Sequence, residues 1–402
     1  MLPHGNGRSY GDVCLNAGGS LLITRGLDRF MAFDAVGGIL ECEAGVLLSD
    51  IIDLVLPRGW FPAVTPGTAF VTVGGAIAND VHGKNHHRAG SFGHHLLSLE
   101  LQRSDGQILR CSADEHQEWF HATIGGLGLT GLILTARLKL RRVAGPWIVG
   151  DSQRFASLPE FFALASSSDS DYEYTVAWID CSRKRGIGRG LFMRGNHTER
   201  IGGTANIARR HPLRIPFTPP ISPITGLTVA LFNEFYYRRG AAQSSGAYWH
   251  YEGYLYPLDG ILEWNRIYGP NGFFQYQCVL PLAEAPAALS EILTQIARSG
   301  QGSFLSVLKQ FGNIRSLGLM SFARPGVTLA LDFPNRGALT LALLDSLDTI
   351  TRSAHGAVYP AKDARMSAAA FRDYFPAWEH FRRYVDPKFS SSFWRRVTEG
   401  VV

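Results

Sequence analysis

No stretch of the 402 residues reaches about 18 consecutive apolar positions, so no transmembrane helix is predicted. Runs of five or more basic residues are also missing; the nearest approaches are Arg209-Arg210-His211 and Arg238-Arg239. With a net charge of only +5, that speaks against a nucleic-acid footprint. Cysteine is scarce: the five, at 14, 42, 111, 181 and 278, include no Cys-x-x-Cys pair. An odd, widely spaced set argues against a disulfide framework and fits a reducing compartment. The N-terminus lacks a signal-peptide pattern, and no internal repeat or low-complexity tract is visible. A chain with 46% hydrophobic and 11% aromatic residues is too apolar for disorder, and 44 Gly with 20 Pro exclude a coiled coil. A soluble protein of two or three domains is expected.

What is present begins with glycine. Pro3-His4-Gly5-Asn6-Gly7-Arg8-Ser9-Tyr10-Gly11-Asp12 is a loop whose backbone can approach an anion closely. It is not a Rossmann fingerprint, because the third glycine stands at 11 rather than 10 and no βαβ unit surrounds it. Such loops normally leave a strand. That strand is missing here, which predicts the loss of an upstream segment. A second element runs from Thr65-Pro66-Gly67-Thr68 into Thr72-Val73-Gly74-Gly75-Ala76-Ile77-Ala78-Asn79-Asp80. A Gly-Gly pair opening a short helix suits a pyrophosphate, although a tight helix–sheet contact fits the same residues.

Five of the 13 His fall between 82 and 95. His82 and His86 stand four apart, yet Gly83, Gly90 and Gly93 interrupt any ligand-bearing helix, and no acidic third ligand is suitably placed. A polar site wall is expected there rather than a metal centre.

Periodicity predicts strands around 21–23 and 39–45, a helix from Ser49 through Val55, and a hairpin over 96–111. A helix over 114–122, a second glycine loop at 125–131 and an amphipathic strand from Leu132 follow. Beyond about residue 145 the glycine texture fades. Aromatic-rich strands at 172–179, 248–256 and 273–280, with helices near 282–299 and 336–352, predict an α+β domain with a mostly antiparallel sheet. The Pro-rich, basic and apolar stretch at 202–228 has little periodicity and reads as a long loop.

Together these segments resemble the FAD-binding domain of the vanillyl-alcohol-oxidase/para-cresol-methylhydroxylase (PCMH) superfamily, which holds FAD between two glycine-bearing segments. More narrowly, three runs are similar to the decaprenylphosphoryl-β-D-ribose 2-oxidase family. They are Val71-Thr72-Val73-Gly74-Gly75-Ala76-Ile77-Ala78, His82-Gly83-Lys84-Asn85-His86-His87 and Ala89-Gly90-Ser91-Phe92-Gly93. The likeness continues at Pro257-Leu258-Asp259, Glu263-Trp264-Asn265-Arg266, Tyr268-Gly269-Pro270 and Gln275-Tyr276-Gln277. It recurs at Tyr359, Ala361-Lys362-Asp363 and Val385-Asp386-Pro387, leaving out mainly 183–235. The fold implied is α+β, a two-domain FAD-binding PCMH-type fold with an antiparallel-sheet substrate domain. Residues 1–145 are the FAD-binding domain, 146–355 the substrate domain, and 356–402 a segment returning to the FAD domain.

The resemblance also implies roles. Gly5, Asn6, Gly7, Arg8, Ser9, Tyr10, Gly11 and Asp12 wrap the FAD pyrophosphate. Gly67, Thr72, Gly74, Gly75, Asn79 and His82 line its other side, Ile133 sits at the adenine end, and Tyr359 contacts FAD. Covalently flavinylated relatives place a His where this chain has Arg8, and no Cys lies beside His82, so the FAD is implied to be non-covalent. Lys362 matches the family's essential lysine and is the leading candidate to act on the flavin or the substrate. His82, Lys84, Gln277 and Lys309 match residues lining the substrate cavity. Lys84 and Lys309 are candidate phosphate or ribose contacts, Gln277 and Gln275 partners of sugar hydroxyls, and Trp178 and Phe311 apolar walls. Mycobacterial members carry Cys at the position of Ala330 and Asn at that of Thr328, so inhibitors needing the thiol should fail and sugar contacts differ.

The implied reaction oxidises the 2-hydroxyl of a polyprenyl-phosphate-linked pentose to a ketone. An NAD(P)H-dependent short-chain reductase then completes an epimerisation to an arabinose donor. Oxidation of another sugar or aldonolactone, or an inactive scaffold, are the alternatives. Within 202–232, Arg209, Arg210 and Arg214 flank Ile215, Phe217, Ile221, Ile224 and Leu227. That mixture suits either a peripheral membrane contact or a plain mobile loop; the chain is expected in the cytoplasm or at the inner membrane, with no nucleic-acid partner.

Overall fold

A computed structural model describes residues 1–183, 186–199, 212–240 and 246–399. The chain divides into two compact units. The first comprises Met1–Ala144, Asn313–Arg324 and Tyr359–Val402; the second comprises Gly145–Gly312 and Pro325–Val358.

In the first unit, strands Phe30–Asp34, Ile39–Glu43, Leu132–Arg142, Leu96–Gln102 and Ile108–Ser112 lie side by side, and Trp60–Pro62 also pairs with Leu132–Arg142. Every one of these pairings is antiparallel. Alternation explains the long strand: Ala136, Leu138 and Leu140 enter a core shared with Leu40, Cys42 and Leu99, while half-buried Arg137 and exposed Lys139 take the other face. Helix Leu48–Val55 buries Leu48, Ile51, Ile52 and Val55, one face of a 3.6-residue period, against the same core. Pro57 and the left-handed Gly59 end it.

The glycine loop does leave a strand. Leu2–His4 pairs in parallel with Leu21–Ile23, so the loop is anchored by three residues that are too short a run to show a pattern. The linear division also needs correcting at 313–324, assigned above to the substrate domain. Its polar groups are satisfied in the first unit: Ser321 Oγ donates to Asp80 at 2.6 Å, and Arg324 Nη1 to Tyr374 O at 3.1 Å.

The second unit is built on an eight-stranded sheet in the order Ala247–His250, Trp147–Phe155, Gly190–Thr198, Tyr174–Ile179, Ser306–Phe311, Gly326–Pro334, Phe273–Leu280 and Ala357–Val358. All neighbours are antiparallel. Helices Ala285–Ser299 and Ala338–Ser353 cover one face: the Tyr276 hydroxyl lies 2.9 Å from Thr351 Oγ1. Because side chains alternate along a strand, Gln275 and Gln277 project from the opposite face.

Two readings change here. Residues 248–256 are a short strand followed by helix Tyr251–Leu255 rather than one strand. The end of the expected 202–232 loop, from residue 226 on, is instead the start of helix Gly226–Arg239, opened by a Thr225–Thr228 capping box. Its aromatic residues are spread over several faces, which hides the period. Arg209 and Arg210 lie outside the described residues. No helix among the described residues is long and apolar enough to cross a membrane.

Candidate active site

Three segments of the first unit converge on one another. A Cβ at Gly5 would fall 2.3 Å from Thr72 Oγ1, and one at Gly11 only 1.5 Å from the Asp363 carbonyl oxygen, so glycine alone fits either place. Asn6 Nδ2 donates to Phe70 O at 2.7 Å, and the Tyr10 amide donates to Ala361 O at 2.9 Å. The opening loop, the stretch around 66–82 and the 359–363 turn therefore form one cradle.

The cradle's open groups differ from the pattern expected. Gly74 N–H donates to Ala44 O at 2.7 Å and Gly75 N–H to Thr72 Oγ1 at 3.1 Å, so both amides of the Gly-Gly pair are already engaged. The amides of Asn6, Gly7, Arg8 and Ser9 make no hydrogen bond among the described residues. An anion is better served by the opening loop than by the short helix Val73–Ala78. Asn79 Nδ2 donates to Gly75 O at 2.9 Å, leaving a buried Oδ1 acceptor without a partner. A row of open amides beside an open buried acceptor fits a ligand with both phosphates and ring N–H groups, as FAD has.

Other expected cofactor residues fall in varied surroundings. Asp12 does not face an anion: Arg396 grips it in a two-pronged contact, 2.6 Å to Oδ1 and 3.0 Å to Oδ2, closing the loop against helix Ser392–Thr398. Ile133 belongs to the apolar core, which takes up its side chain. Gly67 borders open space. Lys362 Nζ lies 3.9 Å from the centre of the Tyr10 ring, a cation–π distance that fixes its charge at the edge of the cradle. His82 is buried, 5.4 Å from Tyr359 and 5.6 Å from Phe322, and the latter two rings stack at 4.5 Å. Tyr359 donates its hydroxyl to Asn79 O at 3.0 Å; burial and the charge of Asp80 push its phenol pKa upward. Lys84 is partly buried in the turn between His82 and helix His86–Ala89.

Asp80 escaped the sequence reading. It is fully buried at φ 39°, accepting from Gly93 N–H at 2.9 Å and Ser321 Oγ at 2.6 Å. Burial raises its pKa despite those bonds. It ties the histidine-rich loop to 313–324 and so sets Phe322 against Tyr359. The only sequence signal was a carboxylate just past a helix end. Phe322 had none, because its ring partners His82 and Tyr359 lie 240 and 37 positions away.

In the second unit, Gln275, Gln277, Thr328, Ala330, Asp332 and Lys309 share the sheet face opposite the two helices. Gln277 Nε2 donates to Thr328 Oγ1 at 3.1 Å and Gln275 Nε2 to Asp332 Oδ1 at 2.5 Å. Trp178 stands opposite Val307 on the same face, anchored by Nε1–H to Phe304 O at 3.0 Å. Lys309 stands opposite Thr328, its Nζ 5.9 Å from the Phe311 ring centre. Burial alone pushes its ammonium down to about 8, and no carboxylate pairs with it among the described residues. No cluster of three or more His, Cys, Asp or Glu suited to a metal occurs among the described residues, and the five cysteines are free thiols.

Residues 1–112 match the FAD binding domain family. The whole chain is similar to decaprenylphosphoryl-beta-D-ribose oxidase of Mycolicibacterium smegmatis, 35% identical over 99% of this chain and 89% of that protein. The chain belongs to the decaprenylphosphoryl-beta-D-ribose oxidase family. Membership makes it a FAD-dependent oxidoreductase with a PCMH-type FAD-binding domain and an α+β architecture. Other members of the wider group are more distant in coverage or description. An uncharacterized protein of Streptomyces coelicolor is 33% identical over 88% of this chain and 100% of its own length. Cytokinin dehydrogenase 7 of Oryza sativa is 27% identical over 46% of this chain and 37% of its own length.

Proposed function

We propose that this enzyme oxidises the 2-hydroxyl of a polyprenylphosphoryl pentose, of the decaprenylphosphoryl-β-D-ribose type, to the 2-keto form. The observation that carries the reading is Lys362, a cation held over Tyr10 at the edge of a cradle with open amides. Bound FAD supplies the acceptor for the two electrons that leave the alcohol carbon as hydride. Arg8, where covalently flavinylated relatives place a His, supports a non-covalent cofactor. The open amides of Asn6 to Ser9 bind its pyrophosphate, and Lys362 offsets negative charge that builds as the alcohol is oxidised. His82, packed against the stacked pair of Tyr359 and Phe322, takes the hydroxyl proton in this reading. Lys84 contacts the sugar or its phosphate. In the second unit, Lys309 offers an unpaired charge suited to the phosphate, and Gln277 a side-chain amide to a ribose hydroxyl.

A ketone made in this way is a substrate for a reductase. We assign that step to a separate NAD(P)H-dependent short-chain enzyme, which returns the hydroxyl with inverted configuration. A lipid-linked substrate also calls for peripheral contact with a membrane, and residues 212–239 supply its apolar and basic side chains. The test is anaerobic mixing of the FAD-loaded protein with polyprenylphosphoryl ribose. Bleaching of the flavin absorbance by that compound, but not by free sugars or aldonolactones, is expected; the reverse pattern refutes the assignment.

A further inference from the structure

Helix Gly226–Arg239 carries apolar residues on its outward side as well as its inward one. Inward, Val229 is buried, and Tyr236 meets Trp178, their ring centres 5.0 Å apart. Asn233 is fully buried, its Nδ2 donating to Asp180 Oδ1 at 2.9 Å and Ser303 O at 3.3 Å. Arg189 bridges Asp180 at 2.8 Å and Glu234 at 2.7 Å, pinning the helix to strand Gly190–Thr198 and its neighbour. Outward, Leu227, Leu231 and Phe235 recur every fourth position and remain 71%, 63% and 60% exposed. Leu213, Phe217 and Ile221, on the chain leading into the helix, are exposed as well. A cleft of about 600 Å³ beside the helix start is lined by Ile221, Ile224, Pro270, Pro334 and Arg336, among others.

Charge decides what covers such a face. Over 212–239 the sequence holds three arginines, Arg214, Arg238 and Arg239, against one carboxylate, Glu234. That carboxylate is already engaged by Arg189 and Arg238. An apolar stripe ending in exposed arginines matches a layer that is negative at its surface and hydrocarbon beneath.

We propose that the outward face of helix Gly226–Arg239 docks on an anionic lipid bilayer. The helix lies in the plane of the headgroups, with Leu227, Leu231 and Phe235 below them and Arg238 and Arg239 at the phosphates. The inner polar bonds keep the helix attached to its sheet while its apolar side enters the lipid. This rests on the lipid-linked substrate proposed above and names the element that meets the membrane.

The experiment is co-sedimentation of the FAD-loaded protein with phosphatidylcholine/phosphatidylglycerol vesicles and with pure phosphatidylcholine vesicles. Binding to the anionic vesicles that weakens with salt is expected. The Leu227→Ser/Leu231→Ser/Phe235→Ser variant should bind at least about tenfold more weakly. Its FAD content and its flavin bleaching by a short-chain, water-soluble substrate analogue should not change. Should that variant fold poorly, Arg238→Gln/Arg239→Gln gives a second reading, with about fivefold weaker binding for each charge removed. Absence of vesicle binding by the parent protein, or equal binding by a folded variant, overturns the proposal. So does a concentration-dependent dimer, seen by ultracentrifugation, that the triple variant abolishes, since the face would then join two copies of the chain. Vesicle binding without bleaching by any polyprenylphosphoryl sugar sustains the docking and defeats the substrate assignment. Bleaching without vesicle binding defeats the docking alone.

Discussion

Replacing Lys309 with Met separates the cost of a buried cation from its use. Burial holds the Lys309 ammonium at about 8, below its usual 10.5, with no neighbouring charge to offset the loss of water. Between those two pH values the unfolded chain keeps a proton that the native chain has released. Stability therefore rises with pH across that window, and below it the full cost stands. The depression corresponds to a ceiling of about 3 kcal/mol against the folded state at neutral pH. The side chain is only partly buried, so residual hydration reduces this to about 1–2 kcal/mol.

Methionine fills a similar volume without the charge. At pH 7 the Lys309→Met protein should melt about 3–6 °C higher, read by calorimetry on the FAD-loaded enzyme. The advantage should shrink toward pH 10.5, where native and unfolded lysine are both losing their protons. Activity moves the other way: kcat/KM for the phosphorylated lipid substrate falls about 10–100-fold, the loss of a charge-assisted contact. In the parent enzyme the same ratio should decline as pH rises through about 8, because kcat/KM reports the free enzyme's ionisation. A variant that melts lower at pH 7 with unchanged kcat/KM would refute the reasoning. Lys309 would then be an ordinary packing residue.

Three further changes test the cradle. Lys362→Met should retain FAD while flavin bleaching by substrate slows about 100-fold or more, and unaltered single-turnover rates would remove the lysine from the reaction. Gly11→Ala sets a Cβ against the Asp363 carbonyl, a backbone atom that cannot step aside; lower melting and reduced FAD content are expected, and parental values for both would contradict the close approach. Asp80→Ala strands the Gly93 amide and the Ser321 hydroxyl and should cost about 2–4 kcal/mol in chemical denaturation. Asp80→Asn, which keeps an acceptor toward Gly93, should cost less than half as much, and equal losses would assign the effect to shape rather than bonding.

What could be read from the sequence was what is local in it. The alternation from Leu132 to Arg142, the 48–55 helix and the hairpin over 96–111 declare themselves within a dozen residues, because one buried face imposes one period. The glycines at 5 and 11 marked close approaches without showing what approached them. The partners, Thr72 and Asp363, are 67 and 352 positions away. The same distance hid Arg396, which takes Asp12 out of the anion site, and Ser321, which meets Asp80. Helix Gly226–Arg239 was missed for a different reason. A sequence period identifies a helix only when its apolar residues gather on one face, and here they stand on several, Val229 inward and Leu227, Leu231 and Phe235 outward. A segment that buries Val229 and Asn233 while leaving Leu227, Leu231 and Phe235 exposed sorts its residues by contacts distant in the sequence, which no local period records.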